Sequence, residues 1–395
     1  MAAKRAFYGL FCFVLASFPA GAQETFELIG TARISGTGLD LSGETAELEN
    51  GERVNRTGGY SALDYSGLDG IYAAMSDRGP DDGAVSYPCR VQLYEIAISP
   101  GAEVPVRAEL KRTVLFRDAQ GLPLSGRSTL LRASERLGRR FDPEGFRFSR
   151  TGTMFVSDEY GPEIVEFSAE GRELRSLVLP QYLKVQRPDG DRDRENAANE
   201  MGRASNRGME CLALSVDGKS LFGLMQGPLL QDGLRKDKKI VGLNCRLLEV
   251  QLATNALREY VYELDSDANG NSEILAVDGS RLLVLERDGE RGEKAGYRRL
   301  VLIDLSGATD ISGMERLPVD LAAAGIRPVK KTVWLDLLDP RWKLAGASMP
   351  EKIEGLCFGE RLADGRRTVL VGTDNDFESP NDSLIWVFAF GPPRP

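Results

Sequence analysis

The feature that most constrains this sequence is a recurring strand–turn–strand unit whose outer ends carry carboxylates. Its fullest copy runs from Phe141 to Pro162. There Asp142-Pro143-Glu144-Gly145 opens a first strand, Ser149 to Gly152 carries hairpin-turn chemistry, and a second strand ends at Asp158-Glu159. Phe146 and Phe148, then Met154 and Val156, alternate with the period of two expected of a half-buried strand. In an antiparallel hairpin the start of one strand lies beside the end of the other. Glu144 is therefore expected close to Asp158 and Glu159.

Four other stretches follow the same plan. Tyr60 to Tyr65 pairs with Ile71 to Met75 and runs into Asp77-Arg78-Gly79-Pro80. Gly208-Met209-Glu210 opens Leu212 to Leu214, and Leu221 to Met225 ends at Gln226. Ser272-Glu273-Ile274 to Val277 is followed by Leu282 to Leu285 and Glu286-Arg287-Asp288. Glu354-Gly355-Leu356 is followed by Val369 to Val371 and Thr373-Asp374. Further strand-like stretches complete most units to four. Repeats of roughly 40 to 80 residues, each a four-stranded meander, are the signature of a β-propeller.

The expected fold is thus all-β, a propeller of five four-stranded blades, or six if residues 306–350, with Val333 to Leu337, hide another. The last unit lacks a fourth strand, and the lone strand Phe26 to Ile34 would supply it and close the ring. No linker divides the chain, so residues 23–395 are read as one domain. Residues 184–207 are highly charged without apolar periodicity and read as a solvated surface loop, with a lid over the site as the alternative.

Composition narrows the chemistry. The chain has no histidine, which excludes Ser-His-Asp and Cys-His hydrolases, histidine-phosphate chemistry and the usual zinc and iron sites. A net charge of −9 argues against a nucleic-acid partner. Residues 1–22 read as a secretory signal, with Lys4-Arg5, an apolar run from Ala6 to Phe18 and the small-residue site Ala20-Gly21-Ala22. A periplasmic or secreted protein is expected, with no membrane association after cleavage. Cys89, Cys211, Cys245 and Cys357 would then meet an oxidising compartment, where two disulfides in three connectivities or buried free thiols are open.

Superposing the units places Glu144, Glu210, Glu273 and Glu354 at first-strand starts. Asp77, Asp158 with Glu159, Gln226, Glu286 and Asp374 fall at second-strand ends. Both sets lie on one face of the ring and would form an acidic funnel at the central channel. Crowded carboxylates suit Ca²⁺, which takes six to eight oxygens in flexible geometry. Arg78 and Arg287 would neutralise part of that charge or hold a substrate anion. The stretch Asp265 to Asn271 resembles the start of a calcium loop, but Ala276 stands where the bidentate glutamate belongs, so a turn is expected.

Several of these pieces together resemble the phytase-like (esterase-like activity of phytase) family of bacterial secreted proteins. They are Asp142-Pro143-Glu144-Gly145, Val156 to Pro162, Asn206 to Glu210, Leu283 to Asp288, Lys352 to Gly355 and Asp374 to Phe377. The resemblance runs from about Tyr60 to Phe390 and implies a propeller with ester or phosphoester hydrolase activity. The expected function is metal-assisted hydrolysis of phosphate or carboxylic esters of small, often anionic, molecules by a monomer. Glu144, Glu210, Glu354, Asp374, Glu286 and Asp77 are the expected metal ligands, and Glu159, Asp158, Arg287 and Arg78 the catalytic groups. A non-catalytic binding propeller and a lactonase-type calcium propeller are the alternatives.

Overall fold

A computed structural model describes residues 24–68, 70–132 and 137–392. The expected signal segment lies outside the described residues. The chain opens with β1 (Phe26–Ile34) and then forms five four-stranded antiparallel sheets. The first blade holds β2 (Tyr60–Tyr65), β3 (Ile71–Ser76), β4 (Arg90–Ile98) and β5 (Val106–Leu115). The second holds β6 (Pro143–Phe148), β7 (Met154–Asp158), β8 (Glu163–Phe167) and β9 (Glu173–Ser176).

The third blade consists of β10 (Cys211–Leu214), β11 (Ser220–Leu224), β14 (Asn244–Gln251) and β15 (Leu257–Glu263), with the small hairpin β12 (Leu234–Lys236) and β13 (Lys239–Val241) inserted. The fourth holds β16 (Asn269–Ala276), β17 (Arg281–Asp288), β18 (Arg298–Asp304) and β19 (Lys330–Asp336). The fifth is completed by β20 (Ile353–Phe358), β21 (Arg367–Thr373) and β22 (Ser383–Phe390).

The fifth sheet runs β1-β22-β21-β20, so the first strand of the chain is the outer strand of the last blade. The blades number five. The segment read as a candidate sixth supplies β19, the outer strand of blade four. The innermost strands touch in the order β2, β6, β10, β16, β20 and back to β2, which closes the ring. Asn375 helps to latch that closure: its Oδ1 accepts from Gly59 N at 3.0 Å and its Nδ2 donates to Asn381 O at 2.8 Å.

The five largest apolar clusters each fill the wedge between two neighbouring blades, and three smaller ones lie under loops. This explains why the inner strands are buried on both faces instead of being half-buried. Along β7, Met154 and Val156 pack toward the first blade while Phe155 packs toward the third. The period-two alternation therefore located a strand correctly and misjudged its surroundings. Gly145 permits this packing near the axis, since a Cβ there would lie 2.5 Å from Leu212 Cβ and 2.6 Å from its backbone N.

The four cysteines among the described residues are all free and buried. Cys89 lies in the first–second wedge, Cys211 and Cys245 in the third–fourth, and Cys357 in the fifth–first. They behave as small apolar fillers, and neither disulfide is formed.

The central channel is closed by a buried ion pair. Arg147 on β6 contacts Glu273 Oε2 at 3.1 Å, and the glutamate is 0% exposed. Arg147 Nη1 donates to Leu63 O (2.9 Å) and Phe146 O (2.5 Å), while Nη2 donates to Ile274 O (2.6 Å) and Leu356 O (3.3 Å). Glu273 Oε1 accepts from Leu212 N at 3.0 Å and Ile274 N at 2.9 Å. The pair thus reaches all five blades. Burial pushes the Glu273 carboxyl up to about 8, against the opposing pull of Arg147 and the two amides.

Removing one partner leaves a buried charge or a set of buried carbonyls without its counterpart. Arg147→Met and Glu273→Leu should each destabilise the fold by about 3–5 kcal/mol in denaturant titration, and the double variant by clearly less than the sum. Additive losses would mean that the two side chains act independently.

Candidate functional site

A register irregularity at the start of the inner strand builds the site. The pairing slips between Tyr60 and Ala62, Pro143 and Phe146, Asn271 and Glu273, and Ile353 and Gly355. The bulged positions include Ser61, Glu144, Ser272 and Glu354, and Glu210 occupies the matching place just before β10. A bulge re-aims a side chain, and all five of these residues line one cavity of about 190 Å³ at the channel mouth. Sequence superposition had put Glu273 in this set. It stands one residue further in and belongs to the axial plug, while Ser272 takes the rim position.

The ends of the second strands supply the facing positions. Asp77, Glu159, Gln226 and Arg287 also line the cavity, as does Arg78. Asp158 and Glu286 stand one residue before that ring, and their carboxylates are taken up by the fold. Asp158 accepts from Asp142 N (2.8 Å), Tyr160 N (3.2 Å) and Gly161 N (3.1 Å). Glu286 accepts from Tyr262 Oη (2.5 Å), Asp265 N (2.8 Å), Asn269 Nδ2 (2.7 Å) and Lys331 Nζ (2.9 Å). Asp374 faces an adjoining larger cavity of about 630 Å³, where its Oδ2 accepts from Lys352 Nζ at 3.0 Å.

The calcium-loop-like stretch is a turn over Asp265 to Ala268, as expected, and its last three residues open β16. Asp265 accepts from Lys331 Nζ (2.7 Å) and Tyr297 Oη (2.5 Å).

The structure adds residues to the set. Asp142, immediately before β6 and 0% exposed, groups with Glu144 and Glu159 so that one oxygen from each lies within 4.8 Å of the others. Its Oδ2 accepts from Arg78 Nη1 at 2.5 Å, whereas its buried Oδ1 has no hydrogen-bond partner. Asn206 and Arg207, at the end of the charged 184–207 segment, reach the cavity wall, and Asn206 Oδ1 accepts from Arg78 Nη2. That segment is anchored instead of merely solvated. Glu195, on the short helix Arg192–Ala198, is buried and pairs with Arg203 Nη1 at 2.5 Å. Lys352 and Glu351 separate this cavity from the larger one and line both.

Most of the positive charge is already committed. Arg78 pairs with Asp142 (2.5 Å), Glu159 (3.3 Å) and Asp82 (3.1 Å). Arg287 donates from Nη2 to Glu354 (2.5 Å) and from Nε to Ser272 Oγ (3.0 Å). The negative charge still prevails. Burial, reinforced by Glu210 and Asp142, holds Glu144 well above the usual carboxylate range. Burial also lifts Glu210, with Glu159 and Glu354 adding to it and Arg287 opposing. Asp77 is raised by burial and by Asp374. Asp142 is pushed up to about 7 by burial, with Arg78 opposing and Glu159 adding.

Three hard oxygen donors, one buried oxygen without a partner and acids that resist full ionisation suit a hard divalent cation such as Ca²⁺. The residues therefore fit the group that the acidic funnel implied. Asp142, Glu144 and Glu159 would hold it, from one blade.

The chain has counterparts among known proteins. A family model described as "Phytase-like: Esterase-like activity of phytase" matches residues 55–377. An "Uncharacterized secreted protein" of the fungus Arthroderma benhamiae is 27% identical over 338 residues, a match covering 69% of this chain and 65% of that protein. The chain thus spans less than two thirds of the length of this curated relative. The chain has a fungal relative, whereas the sequence was likened to bacterial proteins.

The carboxyls raised by burial bind protons more tightly folded than unfolded. Metal-free stability should therefore fall as pH rises from the ordinary aspartate value of 3.8 towards about 7, the window set by Asp142. Glu144→Gln, which removes one buried charge, should melt higher than the parent at about pH 8 in chelator, with the difference vanishing near about pH 4. Equal melting temperatures at the higher pH would show that the cluster carries no such penalty.

Proposed function

The chain belongs to the phytase-like family, and from that premise we propose that it is a secreted, monomeric, calcium-assisted hydrolase of phosphate or carboxylic esters. The observation that carries this reading is the Asp142–Glu144–Glu159 cluster, with its buried, unpartnered Asp142 Oδ1, whose Glu144 and Glu159 line a polar cavity that arginines also line. The relative's description as secreted and the small-residue site after an N-terminal apolar run support export. No helix among the described residues is long and apolar enough to cross a membrane.

A bound divalent cation would polarise the ester oxygen and lower the pKa of a water beside it. The chain's own groups divide the remaining work. Arg78 fixes Asp142 and Glu159 in one orientation and prevents their mutual repulsion from opening the cluster. Arg287 does the same for Glu354, and Ser272 holds the guanidinium in place. Glu210 lines the cavity within electrostatic reach of Glu159 and Glu354 and makes no salt bridge among the described residues. It is positioned to accept a proton from an attacking water. Asp158, Glu286 and Asp374 support the walls in this mechanism and take no direct part.

Calcium should raise the melting temperature of the chelated protein, and a panel of phosphomonoesters, aryl esters and lactones should then reveal calcium-dependent turnover. Glu159→Gln and Glu354→Gln should abolish that turnover while leaving the fold intact. Unchanged activity in both variants would refute the assignment. Absence of both a calcium shift and turnover would favour a non-catalytic binding propeller.

A further inference from the structure

Four cations line the cavity: Arg78, Arg207, Arg287 and Lys352. Three are held by carboxylates. Arg78 is shared among Asp142, Glu159 and Asp82, and Arg287 is held by Glu354. Lys352 contacts Asp374 at 3.0 Å and also pairs with Asp376. A cation already neutralised in this way gains little from a second anion, because it would have to give up a buried partner to take one.

Arg207 differs. Among the described residues it has no carboxylate partner, and its side chain makes one hydrogen bond, from Nη2 to Asn269 O at 2.8 Å. Among the described residues its Nε and Nη1 have no acceptor. They are not sealed in the interior either, since neither is among the buried side-chain atoms without a partner.

The side chain is nonetheless held in place. It lies across Gly227, where a Cβ would stand 3.2 Å from its Cδ and Nε, and passes Gly270, where a Cβ would stand 3.5 Å from Nη2. Gly227 lies just after the second strand of blade three, and Gly270 near the start of the first strand of blade four. Arg207 therefore stands at the mouth where blades three and four meet, beside the carboxylate cluster, since its neighbour Gly208 donates its backbone N to Glu159 Oε1 at 2.9 Å. A fixed guanidinium with unused donors, in a cavity otherwise rich in acids, is an anion-recognition element.

We propose that Arg207 is the anion-binding and specificity-determining residue of this site. It would select ligands that carry a phosphate or carboxylate group beside the bond to be cleaved. The inference refines the hydrolase reading and rests on it for the word substrate, while anion binding itself can be measured separately. It also moves the role expected of Arg78 and Arg287 to a residue whose hydrogen-bonding capacity is free.

The test is a titration of inorganic phosphate into calcium-loaded and chelated protein, read by calorimetry and by melting temperature. Phosphate should bind the parent. Arg207→Gln should weaken binding by about ten- to hundredfold, as loss of a charge-assisted contact implies, and Arg207→Lys should fall between the two. Both variants should keep the parent's calcium-induced rise in melting temperature, which shows that fold and cluster are intact. Phosphate binding to Arg207→Gln with parental affinity, or no binding to the parent, would overturn the proposal. Arg207-dependent phosphate binding without turnover of any ester would leave the anion site standing and remove the hydrolase reading. Turnover of a phosphomonoester with a KM unaffected by Arg207→Gln would do the reverse.

Discussion

The structure depends on one buried ion pair at its axis. A propeller blade buries its faces against two neighbours, so the ring has no single core, and nothing apolar joins all the blades at once. Arg147 and Glu273 do join them, through carbonyls or amides of Leu63, Phe146, Leu212, Ile274 and Leu356. The guanidinium suits this position because it offers five donors in a rigid plane. Its donors reach inner-strand carbonyls of four blades. With the channel plugged, the cavity above it has a floor.

That floor turns repetition into a site. Each inner strand slips register or begins at the same height, so the five blades present equivalent positions around the mouth. At three of them the chain places glutamate, and at Ser61 and Ser272 a short hydroxyl side chain. The serines matter as much as the acids. Five glutamates on so small a ring could not all ionise, whereas Ser272 leaves room for Arg287 to reach across and hold Glu354. The asymmetry concentrates negative charge on the second blade and leaves Arg207, next to it, without a carboxylate partner among the described residues.

Much of this could be read from the sequence, because the same residues recur. The five units, the closing role of Phe26 to Ile34, and the gathering of Glu144, Glu159, Glu210, Glu354, Asp77, Arg78 and Arg287 at one end all follow from aligning hairpins. The failures have a common source. Alignment cannot place a bulge to within one residue, and in a strand a one-residue error sends the side chain to the opposite face. This is why Glu273 was set at the rim, and why Asp158 and Glu286 were grouped with residues that face the cavity. Asp142 was in view as part of Asp142-Pro143-Glu144-Gly145, but no other unit carries an aspartate two residues before its rim position, so repetition could not single it out. Asn206 and Arg207 lie at the end of an irregular segment that belongs to no repeat, so no alignment of units could have found them.

The sequence by itself determined the class of fold, the order of the blades, the way the ring closes and the acidic character of one face. These rest on local hydrogen-bonding patterns and on composition, which every copy of the unit repeats. Only the tertiary structure decided which charges cancel. Pairing between Arg78 and Asp142, Arg287 and Glu354, and Arg147 and Glu273 joins residues on different blades, at distances that depend on how the wedges pack. Because charge at the mouth is set by those pairings, the identities of the unpaired Asp142 oxygen and the uncommitted Arg207 are properties of the closed ring.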